Sequence, residues 1–153
     1  MSKKVIKLDV PVEFDFVLLA VISSLKDYRL CFELNKKMKL KFIRQSDLEL
    51  KDARHNRCEY TFFRCRNSKT HEEIILILNK GSNGVLIPEM KNVDYFMLIK
   101  NQPFDAIEKI VKAMNEIDNI GGVYELDPSE LKSAENFLMF EYHEKPKART
   151  KPH

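Results

Sequence analysis

Two short apolar runs place the strongest limit on what this chain can fold into. The first is Ile74 to Leu78, and the second, Phe96 to Ile99, ends a segment that begins near residue 93. Unbroken runs of this kind are typical of strands covered on both faces. Between them lie a turn signal at Asn83-Gly84 and a proline, Pro88, which cannot donate to a sheet ladder. The pattern therefore predicts two strands joined by a shaped, proline-containing connection.

The segments around these strands predict an α+β fold. We expect a mixed, mainly antiparallel sheet of about five or six strands, with helices packed against it. Apolar spacing predicts two N-terminal helices, at 12–25 and 28–38, which pack together, and a third helix at about 103–117. Strands are predicted at 4–9, 39–44, 58–66, 73–79, 93–100 and 123–126, with 58–66 and 73–79 forming a hairpin. Residues 45–57 are predicted to be an exposed connection, and 136–140 to be extended.

Length and composition indicate one domain in a reducing compartment. A chain of 153 residues with 44% apolar residues suits a single domain, which we place at 1–142. Residues 143–153 are basic and contain two prolines, so they are predicted to be a disordered tail. Three cysteines cannot all pair, which favours reduced thiols in the cytoplasm. The longest apolar run is far shorter than the roughly 20 residues of a membrane-spanning helix, so no membrane association is expected.

The connection into the second apolar run carries a recognisable motif. It reads Ile87-Pro88-Glu89, three variable residues, then Val93-Asp94-Tyr95. This pattern resembles the bacterial family named after it, the IPExxxVDY family, and the resemblance spans most of residues 1–142. It implies a cytoplasmic bacterial protein. It implies no activity and no cofactor, and it supplies no catalytic or binding residues.

The motif residues Pro88, Glu89, Asp94 and Tyr95 allow two interpretations. As a polar site, the carboxylates would act as acid, base or ligand. As structure, Pro88 would direct the chain into the strand and Glu89 would cap or pair locally. Asp94 would accept from turn amides, and Tyr95 would pack its ring and bond its hydroxyl to the backbone. The structural interpretation is favoured, because shaped loops serve folds more often than reactions. Asp94 stays the open question, since an acidic group in an apolar strand needs a partner.

Metal and cofactor chemistry receive little support from the sequence. The set His55, Cys58, Cys65 and His71 contains one pair with zinc-ligand spacing, His55 and Cys58. Cys58 and Cys65 would point to opposite faces of one strand, so no metal is expected. Four glycines are too few for a useful phosphate-binding or dinucleotide-binding loop, and no cofactor is expected.

A basic segment gives the clearest indication of a partner. Its residues Lys36, Lys37, Lys39, Lys41 and Arg44 are a possible anion-binding set. The aromatic residues Phe42, Tyr60, Phe62 and Phe63 could supply stacking surfaces, although they are more typical of a core. Acidic residues are interspersed and the net charge is only +3, so a domain-wide basic stripe is missing.

Three functions follow, in order of preference. The first is a non-enzymatic cytoplasmic protein–protein interaction module that binds a protein partner or itself. The second is a nucleic-acid-binding or ribosome-associated protein that uses residues 36–44 and the C-terminal tail. The third is a small enzyme with a site around Glu89, Asp94 and Tyr95. The absence of any catalytic signature in the sequence favours the first.

Overall fold

A six-stranded antiparallel sheet forms the centre of this computed structural model, which describes residues 14–51 and 54–140. The strands are β1 (Val17–Ser23), β2 (Ile43–Arg44), β3 (Leu48–Lys51), β4 (Arg57–Tyr60), β5 (Phe62–Asn67), β6 (Glu72–Leu78), β7 (Tyr95–Lys100) and β8 (Ile120–Leu126). The order across the large sheet is β2-β5-β6-β7-β1-β8, while β3 and β4 pair separately. The predicted α+β fold with a mainly antiparallel sheet is confirmed, as is the hairpin, which β5 and β6 form.

Two helices, α1 (Asp27–Met38) and α2 (Phe104–Asn115), pack on one face of the sheet. Their buried side chains include Leu30, Leu34, Ile107 and Met114. The other face is covered by β3, β4, the β6–β7 connection and the C-terminal segment. Three 3-10 turns lie in these covering segments, at Pro88–Met90, Pro128–Glu130 and Ala134–Met139. The central strands β6 and β7 are therefore buried on both sides, as their apolar runs predict.

The predicted helix at 12–25 is wrong over the residues that the structure describes. Residues 17–23 form β1, which lies between β7 and β8. Leu18 and Ala20 pack into one core cluster, and Leu19 and Val21 into the other. A strand buried on both faces is apolar at every position, so its sequence satisfies the helical period as well as the period of two. The predicted packing of two N-terminal helices therefore gives way to α1 lying over a sheet that contains β1.

Smaller differences concern short elements. The helices predicted at 28–38 and 103–117 are present with slightly shifted ends, and the strand predicted at 39–44 shortens to β2. The strand predicted at 58–66 is divided at Thr61 into β4 and β5. The exposed connection predicted at 45–57 instead contains β3, whose Leu48 is buried opposite Tyr60. Residues 136–140, predicted as extended, belong largely to a 3-10 turn that places Phe137 and Phe140 in the core.

Some predictions lie outside the described residues, namely the strand at 4–9 and the tail at 143–153. Among the residues that are described, no helix is long and apolar enough to cross a membrane.

Candidate functional site

The motif lies in a connection that folds back on its own beginning. At its two ends, the backbone N–H of Asn79 donates to the carbonyl of Asp94 at 3.0 Å, and the N–H of Leu86 donates to the carbonyl of Asn79 at 2.7 Å. Pro88 opens the 3-10 turn at its first position, where its missing N–H removes no helical hydrogen bond. The connection is therefore a loop that is closed at its base by the backbone hydrogen bonds of Asn79.

Asn79 holds this loop from inside the protein. Its side chain is fully buried, and its Oδ1 accepts from the N–H of Ile87 at 2.9 Å. Its Nδ2 donates to the carbonyls of Met90 and Val93, both at 2.9 Å. The sequence analysis placed Asn79 at the end of the strand predicted at 73–79 and gave its side chain no role. The available signal was its place at the end of an apolar run, where a polar side chain must find buried partners.

Glu89 bonds to a segment far along the chain. Its Oε2 accepts from the backbone N–H of Ser133 at 2.8 Å, and its Oε1 accepts from the hydroxyl of Ser133 at 3.0 Å. Partial desolvation raises the pKa of the carboxyl, but the hydrogen bonds it accepts outweigh that effect and hold the pKa below its usual value. Nearby, the Nδ2 of Asn136 donates to the carbonyl of Leu86 at 2.9 Å. The prediction that Glu89 caps or pairs locally is therefore wrong, because its carboxylate attaches the loop to the C-terminal segment.

Asp94 has the partner that an acidic residue in an apolar strand requires. Its Oδ2 accepts from the backbone N–H of Ser23 at 2.9 Å, and its own N–H donates to the carbonyl of Val21 at 3.0 Å. Ser23 lies beyond Val21, the last residue of β1 that pairs with β7. Its amide therefore has no backbone partner in that ladder, and the carboxylate of Asp94 accepts its hydrogen bond.

Tyr95 packs as the structural interpretation predicts. Its ring is buried in the helix-covered face of the sheet, and its hydroxyl donates to the carbonyl of Leu25. Burial, followed by the negative charges of Asp27 and Asp94, raises the pKa of this phenol well above its ordinary value. A phenol with such a pKa stays protonated at neutral pH and is a hydrogen-bond donor, which does not suit a general base.

The motif side chains are therefore directed to separate places. Glu89 reaches the C-terminal segment on one face of the sheet, while Tyr95 is buried on the other face. Asp94 accepts a hydrogen bond from the backbone of β1, within the sheet itself. Each side chain holds together segments that are 44 to 71 residues apart in sequence. This arrangement supports the structural interpretation of the motif.

The predicted set His55, Cys58, Cys65 and His71 does not assemble into a metal-ligand set. Cys58 lies on β4 in the core cluster that contains Tyr60, whereas Cys65 lies on β5 and packs against the cluster on the helix-covered face of the large sheet. The two cysteines are apart, but they belong to two strands in different sheets and not to the single strand that the sequence predicted. No group of three or more His, Cys, Asp or Glu side chains in 14–51 and 54–140 could hold a metal ion. Cys31 is buried, and burial together with the charge of Asp27 raises its pKa to about 12. Its thiol is therefore protonated and inert at neutral pH.

The five predicted anion-binding residues separate into two groups. Three are engaged: Lys36 lies 5.8 Å from the ring centroid of Phe32, Lys37 pairs with Glu116 at 3.1 Å, and Arg44 pairs with Asp47 at 3.3 Å. The other two, Lys39 and Lys41, line an open groove that also contains Arg66 and Lys69. The sequence analysis did not connect these two positions with Lys69, because the turn between β5 and β6 approaches them only in the folded chain.

The stacking surfaces predicted near the basic segment are not available. Phe42, Tyr60, Phe62 and Phe63 are all buried. Among the residues that the structure describes, the exposed aromatic side chains lie elsewhere, at Tyr28, Phe32, Phe104 and Tyr124. The first two lie on α1, where Phe32 is flanked by Arg29 and Lys36.

The outer edge of β8 is a further candidate site. Among the described strands, β8 pairs with β1 alone, and its other side faces away from the sheet. Tyr124 is 53% exposed, and its ring lies so close to Gly122 that a Cβ at that glycine would collide with it. The sequence analysis predicted a shorter strand at 123–126, because adjacent glycines such as Gly121 and Gly122 are typical of the residues that end a helix.

Comparison with known proteins does not supply a function. No protein-family model, curated protein or solved structure matches the chain. The resemblance to the IPExxxVDY family rests on the motif residues and stays a prediction. Any functional assignment must therefore be argued from the geometry described above.

Proposed function

We propose that the protein is a non-enzymatic interaction module that associates through the outer edge of β8, and that the partner is a second copy of the chain. The observation that carries the proposal is the seven-residue edge from Ile120 to Leu126, which has a strand on one side only within the described part of the chain. An exposed edge presents a row of backbone donors and acceptors that can pair with another strand.

The residues of β8 leave this edge open to pairing. Edge strands that avoid association are usually very short, bulged, or carry proline or charged side chains, above all lysine. The strand reads Ile-Gly-Gly-Val-Tyr-Glu-Leu and contains neither lysine nor proline. Its pairing with β1 is irregular at Gly121, near one end, and Glu125 is its one charged residue. The opposite edge of the sheet differs, since β2 has two residues and one of them is Arg44. Of the two sheet edges, β8 is therefore the one suited to adding a strand.

The strand is also complementary to itself. In an antiparallel pairing of two copies centred on Val123, Ile120 would face Leu126 and Gly121 would face Glu125, so no like charges are opposed. Gly122 would face Tyr124, and an aromatic ring covering a glycine is a recognised way to stabilise a strand that contains one. The pairing would extend the two sheets into one. A single strand pair lies at the low end of interface size, so we expect weak, reversible association.

Sedimentation velocity tests the proposal over protein concentrations from about 1 μM to about 1 mM, which correspond to binding free energies of about 8 to about 4 kcal/mol. We expect the full chain to shift from monomer to dimer within this range. Tyr124→Lys places a charge on the edge and should keep the chain monomeric. Tyr28→Lys is the matched control, because Tyr28 is also exposed but lies on α1, and it should dimerise like the unchanged protein. A monomer at every concentration, or equal behaviour of the two variants, would contradict the proposal.

One competing occupant of the edge lies in the same chain. Residues 4–9 are predicted from sequence to form a strand, and such a strand could pair with β8. A chain lacking residues 1–10 separates the two possibilities. If it dimerises while the full chain stays monomeric, the edge belongs to the N-terminal segment and the proposal fails for the intact protein.

A further inference from the structure

We propose that the groove between the loop after α1 and the turn between β5 and β6 binds the phosphodiester backbone of a nucleic acid strand. Its cationic side chains are Lys39, Lys41, Arg66 and Lys69. The groove is separate from the β8 edge, because β2 and β5 lie at the other end of the sheet order. The inference therefore does not depend on the proposed self-association.

One side of the groove is the loop that follows α1. The helix ends at Met38 and is capped by Lys39, whose φ of 54° is in the left-handed region and turns the chain sharply out of the helix. The side chain of Asn35 then closes the loop, since its Oδ1 accepts from the N–H of Phe42 at 2.9 Å. Lys39 and Lys41 are thus presented by a backbone that is held at both ends.

The other side is the turn between β5 and β6, and it is equally well held. The Oδ1 of Asn67 accepts from the N–H groups of Lys69 at 2.9 Å and Thr70 at 3.3 Å. The Nδ2 of Asn101 donates to the carbonyl of His71 at 2.8 Å, which attaches the turn to the end of β7. The groove is consequently formed before any ligand arrives, which lowers the ordering cost of binding.

The charge in the groove is strongly positive. Lys39, Lys41 and Lys69 make no ion pair with any residue of the described ranges, and Glu72 is the acidic residue that lines the groove. Arg66 pairs with Glu73 at 3.3 Å, but that carboxylate also pairs with Arg64 at 2.6 Å. The excess positive charge of the groove therefore comes from Lys39, Lys41 and Lys69, and this excess favours an anion.

The neutral groups in the groove fit phosphate oxygens. Asn67, Ser68 and Gln102 supply amide and hydroxyl donors beside the cations. Side chains of these types, together with Arg and Lys, make most protein contacts to the nucleic acid backbone. The floor contains Leu40, Cys65 and Ile74, with no aromatic side chain on which a base could stack. We therefore infer sequence-independent contact with the backbone.

Cations on two sides of an open groove suit a polymer with repeated phosphates better than one small anion. Each phosphate that the protein neutralises on a single strand contributes about −0.7 to the slope of log affinity against log salt. Three or four contacts thus predict a slope of about −2 to −3, which is an affinity loss of about 20-fold to 50-fold between 50 and 200 mM salt.

Fluorescence anisotropy with a labelled 20-nucleotide oligouridylate and the full chain measures this slope. Replacing Lys39, Lys41 and Lys69 together by alanine should weaken binding at least about 10-fold and flatten the slope by about 2. The matched control replaces Lys91, Lys109 and Lys112 by alanine, which changes the net charge equally at exposed positions outside the groove. We expect the control to bind within about 2-fold of the unchanged protein.

Several results would overturn the inference. Absent or salt-independent binding would do so, as would an equal loss in the two triple variants, which would indicate a response to net charge alone. Inorganic phosphate that competes at the same phosphate concentration as the polymer would assign the groove to a small anion. A chain ending at residue 142 that loses binding, while the groove variant keeps it, would assign binding to the basic residues beyond.

Discussion

Removal of the Asn79 side chain is the sharpest test of the structural role of the motif. Asn79→Ala leaves three groups without their present partner, namely the N–H of Ile87 and the carbonyls of Met90 and Val93. An unsatisfied buried group costs about 1–3 kcal/mol, although relaxation and water entry reduce the sum. We expect a loss of about 3–5 kcal/mol, which is a large part of the 5–15 kcal/mol that stabilises a typical domain.

Urea unfolding followed by far-ultraviolet circular dichroism measures the loss, because the chain contains no tryptophan for fluorescence. Asn79→Leu separates lost hydrogen bonds from lost volume, since leucine is close to asparagine in size. It should cost nearly as much as Asn79→Ala. Asn92→Ala in the same loop is the control, because Asn92 is exposed, and such a change usually stays within about 0.5 kcal/mol. If Asn79→Ala costs less than about 1 kcal/mol, the role assigned to Asn79 is wrong.

Three further predictions concern single positions. The folded-state pKa of Glu89 lies below its ordinary value of 4.5, so the stability that its carboxylate contributes is present above that value and is lost as the pH falls. The difference in melting temperature between the unchanged protein and Glu89→Gln should therefore shrink from pH 7 to pH 3. A difference that stays constant over this range would refute the stabilising role of the carboxylate. Cys31, with a pKa of about 12, should resist iodoacetamide at pH 8 until urea unfolds the protein, so its modification in the folded chain, read by peptide mass spectrometry, would contradict its burial. Gly81→Ala should cost about 1–3 kcal/mol in urea unfolding, because the new Cβ would lie 2.6 Å from the carbonyl oxygen of Glu59. Gly84→Ala, where the nearest atoms are 3.8 Å away, should be near neutral, and equal costs at the two glycines would disprove the steric argument.

The sequence correctly predicted those elements whose hydrophobic periodicity fits only one type of secondary structure. α1 and α2 have a polar face as well as an apolar one, so their period is unambiguous. β1 has no polar face, and nothing local distinguished it from a buried helix. β3 was missed because four residues carry too little pattern, and its pairing with β4 is what stabilises it.

For the candidate site, sequence reasoning found the residues and missed their partners. Glu89, Asp94 and Tyr95 were identified from the motif, but Ser133, Ser23 and Leu25 are distant in sequence, and no spacing rule connects them. Asn79 was overlooked for a different reason, because its importance comes from the burial of its side chain. The groove required the tertiary approach of residues 39–41 to residues 66–69.

The position of β1 has a consequence for how the protein is made. β1 is the first described strand in the chain, yet its two neighbours in the sheet are β7 and β8, the last two. A ribosome adds about 5–20 residues per second, so the roughly 80 residues from β1 to the end of β7 take about 4–16 s. During that time the seven-residue apolar segment of β1 has been synthesised but has neither of its neighbouring strands to pair with. We expect the N-terminal half of the nascent chain to be a substrate for holding chaperones, and its release to coincide with the synthesis of β7, which begins at the tyrosine of Val-Asp-Tyr.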